Sequence, residues 1–129
     1  MRERSLSAVR FASLALVVTA AVLAGCASPL SGPGFSDENA TERALAAEEA
    51  FVSERLSNAT CVDEWGTDPT VVDREAVVTD RSAEALSVNV TQPYWYGTAE
   101  DEADDASRAR YRVTANATER VGGDAVSPC

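Results

Sequence analysis

Fourteen consecutive residues without a charge, Phe11 to Ala24, run into Leu23-Ala24-Gly25-Cys26, and that junction divides the chain into two kinds of sequence. Ahead of the apolar run, Arg2, Arg4 and Arg10 stand against a single acid, Glu3. A membrane-crossing helix needs about 20 apolar residues. A shorter run, behind a basic start and ending in small residues, has the pattern of a removable signal peptide, here a signal helix over residues 1–25. An uncleaved anchor is the other reading of the same run. If the cut falls before Cys26, 25 of the 129 residues are lost and 104 remain. That length makes one small domain with one modest core.

The part after Cys26 is strongly acidic. The whole chain carries −10, of which the leader contributes +2, so the remainder carries −12. Such a surface repels nucleic acid, whose binding needs clustered bases to neutralise phosphates. There is no Lys, all 11 bases are Arg, and the acids are spread along the chain. In molar salt the Debye length falls to about 3 Å, which screens the self-repulsion of such a domain. In this respect the composition resembles that of haloarchaeal proteins, an acidic mesophilic domain being the alternative.

Leu23-Ala24-Gly25-Cys26, directly after the apolar run, resembles the lipobox of archaeal and bacterial membrane lipoproteins, and the resemblance covers the first 26 residues only. It implies that Cys26 becomes a lipidated N-terminus, anchored to the cell membrane and facing outside. Many haloarchaeal lipoproteins use a twin-arginine export signal; here Glu3 splits Arg2 from Arg4. Residues 26–36 then form the lipidated Cys and a Pro/Gly/Ser tether that reaches about 35 Å when extended.

Residues 37–129 are expected to form a small α+β domain: one amphipathic helix packed on a three- or four-stranded antiparallel meander. Ser36 or Asp37 offers an N-cap for a helix over 38–58. Its stripe is Leu45, Val52 and Leu56 flanked by Ala44, Ala47 and Phe51, with Glu42, Glu49, Ser53 and Ser57 pointing elsewhere. Trp65-Gly66 and Asp68-Pro69 read as turns in a connecting loop, followed by a short strand at Thr70–Val72. A strand over Arg74–Asp80 leaves its inward face undecided, because Val77 and Val78 are adjacent. Beyond it the period is two. Even positions are mostly apolar over Leu86–Tyr96, and odd positions over Arg108–Thr118. Opposed residues of these two strands must share a face, so their numbers sum to an odd value. A sum of 203 sets Val88 against Ala115, Val90 against Val113, Thr91 against Arg112 and Trp95 against Arg108. Slips of two preserve that parity, and a bulge at Pro93 would flip Tyr94 to Tyr96.

The chain holds four asparagines, Asn39, Asn58, Asn89 and Asn116, each with Thr two residues on and never Pro between. Four matches in four arise by chance on the order of one time in a thousand, which favours N-glycosylation acceptors over ordinary polar positions. With Cys26 assigned to lipid, Cys61 and Cys129 remain, outside the cell where disulfides persist. They either pair or leave a free buried Cys61 and a frayed tail.

Glu100 to Asp105 is the densest acidic run. It reads as a solvated turn or a loose Ca²⁺ or Mg²⁺ site, lacking the spacing and Gly of an EF-hand loop. Trp95, in Tyr94-Trp95-Tyr96, either packs at a hairpin end, stacked with Arg108, or offers a ligand platform. Arg108, Arg110 and Arg112 read as salt-bridge partners, with an anion site as the alternative. With no His in the chain, there is no Ser-His-Asp triad and no imidazole ligand. That excludes blue-copper halocyanins, whose site needs His and Cys. A carboxylate-pair hydrolase stays open on acids alone, in a domain with little room for a cleft. No cofactor or metal is implied. The expected product is a non-enzymatic surface lipoprotein or, alternatively, a ligand-binding accessory of a transporter or envelope complex.

Overall fold

The computed structural model describes residues 34–69 and 71–129. The expected signal peptide, Cys26, the tether up to residue 33 and Thr70 lie outside them. Helix α1 (Asp37–Ser57) starts where Ser36 caps it, the Asn39 N–H donating to Ser36 Oγ at 3.0 Å. Asp37 and Glu38 in the first turn and Arg55 in the last match the helix dipole. The buried face is Ala40, Ala44, Glu48, Val52 and Leu56, one residue every four. Of the expected stripe, Ala44, Val52 and Leu56 are buried, whereas Leu45, Ala47 and Phe51 pack from the flanks. Glu48, which the hydrophobic pattern passes over, occupies the centre.

Five antiparallel strands replace the expected three or four: β1 (Val62–Gly66), β2 (Glu75–Arg81), β3 (Ala85–Thr98), β4 (Glu102–Thr114) and β5 (Thr118–Gly123). Strand β3 is the spine. Along one edge it pairs β4 for its whole length, from Ala85 opposite Thr114 to Gly97 opposite Glu102. Its other edge is shared end to end by β2, against Leu86–Thr91, and β1, against Trp95–Thr98. Strand β5 extends the free edge of β4. The result is an α+β fold with one helix on one sheet.

Small residues let α1 approach the sheet closely: Ala40 and Ala44 sit over Leu86, Val88, Val90, Ala109, Tyr111 and Val113. Farther along, Val52 and Leu56 meet Tyr94 and Val126. Each large aliphatic side chain so buried stabilises the fold by about 1.5–3 kcal/mol. The parity of the two long strands holds, with Val88, Val90, Tyr111 and Val113 in the core and Asn89, Arg108, Arg110 and Arg112 outside. On β2, Ala76 and Val78 pack on the core and Val77 faces out.

The register differs from the expected one by four. Val88 faces Tyr111, Val90 faces Ala109, Thr91 faces Arg108 and Trp95 faces Asp104. The cause is the turn. Thr98 N–H donates to Asp101 O at 2.8 Å, so Ala99, Glu100 and Asp101 make a tight turn between the strands and Glu102 to Asp105 belong to β4. At the other end β4 stops at Thr114, and Ala115, Asn116 and Ala117, expected within the strand, form an exposed turn. The pairing runs through Pro93 opposite Ala106 without a break, so no bulge flips Tyr94.

The three hairpin turns share one device. Ser82, Thr98 and Thr114 each accept the N–H three residues on, from Ala85, Asp101 and Ala117, at 3.1 Å. A hydroxyl that takes the place of a backbone acceptor in this way favours the turn over strand continuation. The strand expected at Thr70–Val72 is also displaced: Val71 and Val72 lie in a bend, and β1 starts at Val62. Gly66 belongs to β1, opposite Trp95, and is no turn residue. Among the described residues, no helix is long and apolar enough to cross a membrane.

Candidate functional site

Two polar arrangements stand out, one inside the fold and one on the open face of the sheet. The inner one is built on Glu48, whose place in the buried ladder of α1 aims its carboxylate at β4 and β5. Ser107 donates to Oε1 at 2.5 Å, Tyr111 to Oε2 at 2.7 Å, and Arg120 to both oxygens at 3.0 and 3.2 Å. Arg120 also donates to Asp124 O at 2.8 Å, and its guanidinium lies 4.0 Å from the centre of the Phe51 ring. Glu48 is fully buried while Arg120 keeps 22% of its side chain exposed. Burial on its own would raise the Glu48 carboxyl; the hydrogen bonds from Arg120, Ser107 and Tyr111 outweigh it and hold the group below its ordinary value. Burial, and then the bond to Glu48, push the Tyr111 phenol upward.

Chemically this cluster is closed. Both carboxylate oxygens are taken by donors, and Ser107 is itself fully buried, so no substrate atom reaches them. Its role is to join the helix, the sheet and the C-terminal tail. Gln92 makes a second internal tie. It accepts from Arg74 Nε at 3.0 Å and donates to Thr67 O and Pro93 O. Arg74 in turn pairs with Glu49 at 2.9 Å, which fastens the β1–β2 connection to α1. Among the described residues, no buried side-chain polar atom lacks a hydrogen-bond partner. Signals for these groups existed: Glu48 interrupts an otherwise small and apolar four-residue ladder, and Ser107 continues the odd parity of Ala109, Tyr111 and Val113.

The expected site residues are dispersed. Cys61 and Cys129 are joined by a disulfide, their Cα atoms 5.8 Å apart. All four asparagines are exposed: Asn39 in the first turn of α1, Asn58 at its C-cap, Asn89 on the outer face of β3 and Asn116 in the β4–β5 turn. Cys26 lies outside the described residues. Trp95 is half-buried on the outer face, over Gly66 and opposite Asp104, so the expected stacking with Arg108 is replaced. Arg108 instead pairs with Thr91, four residues back along β3. The acidic run is divided between a turn and β4; one member, Asp105, accepts from Tyr94 Oη at 3.3 Å. Burial, then Asp105, push that phenol up to about 12. Among the described residues, no three His, Cys, Asp or Glu side chains converge as metal ligands.

The outer arrangement is the arginine ladder on β4. The described ion pairs are Arg74–Glu49, Arg81–Asp37 and Arg120–Glu48, so the guanidinium groups of Arg108, Arg110 and Arg112 have no carboxylate partner among the described residues. This corrects the expectation that they serve as salt-bridge partners; four of their outward neighbours on β3 and β5, Ser87, Asn89, Thr91 and Gly122, are uncharged. Comparisons with protein-family models, with curated proteins and with solved structures return no match for this chain.

Proposed function

We propose that the chain is a non-enzymatic lipoprotein, held through a lipid on Cys26 at the outer side of the cell membrane and N-glycosylated on some or all of its four exposed asparagines. The observation that carries this reading is the Cys61–Cys129 disulfide. It consumes the two cysteines that lipidation leaves over, and such bonds persist in oxidising surroundings. The exposure of Asn39, Asn58, Asn89 and Asn116 supports the glycan part, and the closed state of the Glu48 cluster supports the absence of catalysis. The reading is tested by Cys26→Ser in the native host: the expected result is loss of the protein from the membrane fraction or accumulation of an uncleaved precursor. Unchanged processing and membrane association would overturn it. Intact mass of the native protein should exceed that of the lipidated polypeptide, by an amount that Asn→Gln changes remove stepwise.

A second reading, a ligand-binding accessory of a transporter or envelope complex, is favoured by the arginine ladder on β4, whose guanidinium groups have no carboxylate partner among the described residues. The helix–sheet seam does not serve it, since the core and the Glu48 cluster fill that space.

A further inference from the structure

The C-terminal half of β4 turns Arg108, Arg110 and Arg112 outward, away from α1. With 21 acids for 11 bases in the chain, lack of carboxylates is no reason for three neighbouring arginines to go unpaired. Beside two of them the surface dips into a groove of about 360 Å³, lined by Asn89, Thr91, Arg108, Arg110, Gly122 and Gly123. Gly122 keeps it open, whereas the Cβ that Gly123 (φ +152°) lacks would point at Ala109 and Arg120 on the helix side of the sheet, away from the groove. At Gly122 a Cβ would stand 3.7 Å from Arg110 Nη2, which puts that guanidinium at the wall of the groove.

We propose that this groove binds a small soluble ligand carrying two oxyanionic groups, one held by Arg108 and the other by Arg110. Residues two apart on a strand are about 7 Å apart, which sets the separation of the two groups. Planar guanidinium forks suit phosphate, sulfate or carboxylate oxygens, and the Asn89 amide and Thr91 hydroxyl add neutral donors at the same place. The surroundings select for size. Glu75 lies opposite Thr91, Glu119 opposite Arg112, and Asp124 accepts the Arg108 backbone N–H. A membrane surface or a polyanionic chain laid across the sheet would meet these carboxylates together with the arginines. A small ligand within the groove meets the arginines first. This site does not depend on the lipid anchor, and of the four sequon asparagines it requires Asn89, which lines the groove, to carry no glycan.

The test is calorimetric titration of the full chain, made in a host without N-glycosylation so that Asn89 is bare, in neutral detergent at low ionic strength. Tripolyphosphate is the probe and orthophosphate the single-group control. Tripolyphosphate should bind one to one, with orthophosphate about tenfold weaker. R108Q/R110Q should weaken tripolyphosphate by about a hundredfold, while R55Q, on the far surface of α1, leaves it unchanged. Gly122→Ala, which meets only ordinary contacts, should also weaken binding at an unchanged thermal midpoint. No heat with tripolyphosphate, or equal affinity in R108Q/R110Q, overturns the site. Displacement of tripolyphosphate by vesicles of phosphatidylglycerol, at one headgroup per protein, overturns the soluble ligand in favour of a lipid.

Discussion

Arg120 on β5 holds both oxygens of the Glu48 carboxylate on α1, at 3.0 and 3.2 Å, and so carries the one buried charge of the helix across 72 residues of sequence. Removing one member of a buried pair costs about 3–5 kcal/mol, whereas replacing both by apolar groups is often neutral or better. Glu48→Leu strands Arg120, Ser107 and Tyr111 together and should destabilise by about 3–5 kcal/mol in urea unfolding. The double variant Glu48→Leu with Arg120→Met should recover part of that loss, the Ser107 and Tyr111 hydroxyls still lacking their acceptor. Equal losses in the single and double variants would show that the pair is not coupled.

The same carboxylate governs the acid limb of stability. Its folded value lies below its ordinary 4.5, so the unfolded chain binds a proton before the native one does. Stability from this group is present above pH 4.5 and lost as pH falls through the folded value. Unfolding free energy should therefore decline below that point in the native protein and decline less in Glu48→Gln. At the alkaline end the sign reverses: with the Tyr94 phenol up at about 12, its contribution is present below its ordinary 10 and is lost between the two values. Absorbance at alkaline pH should show two tyrosines, Tyr94 and Tyr111, that ionise late, and Tyr94→Phe should remove one of the two.

The Cys61–Cys129 bond closes a loop across a separation of 68 residues and ties the tail that carries buried Val126 to the end of α1. Chain entropy alone makes such a closure worth about 4 kcal/mol. Cys61→Ser/Cys129→Ser, or reduction of the native protein, should lower stability by about that amount in urea unfolding. The β3–β4 register, which rests on the Thr98 turn, should survive, as read from slow hydrogen exchange at Val88 and Tyr111.

How far the fold was legible depends on how strongly each segment repeats. Helix α1 and strands β3 and β4 were legible because Val52–Leu56, Val88–Val90 and Tyr111–Val113 follow periods of four and two. Strand β1 was not, since none of Val62 to Gly66 is buried and an edge strand there carries no alternation. The register was misplaced because Glu100 to Asp105 reads as a loop by composition, while the turn is specified by the Thr98 hydroxyl. Ser82, Thr98 and Thr114 stand sixteen residues apart, each followed by Ala, a spacing that marks all three hairpins. The Glu48 cluster was hidden by the convention that a charge lies outside the apolar stripe.

Gly66 distinguishes β1 from a loop by experiment. A Cβ on it would come within 2.7 Å of Trp95 Cε2, because the indole lies across the glycine from the neighbouring strand. Were Gly66 a free loop residue, replacing it with Ala would stabilise by about 0.4–1 kcal/mol through the unfolded chain. In the paired strand the methyl group must displace the indole, and overpacking of this kind costs about 1–3 kcal/mol. Gly66→Ala should thus destabilise. In a Trp65→Phe background, where Trp95 is the sole remaining fluorophore of its kind, emission should move to longer wavelength as the ring is pushed into water. A gain in stability with unchanged emission would remove β1 from the sheet.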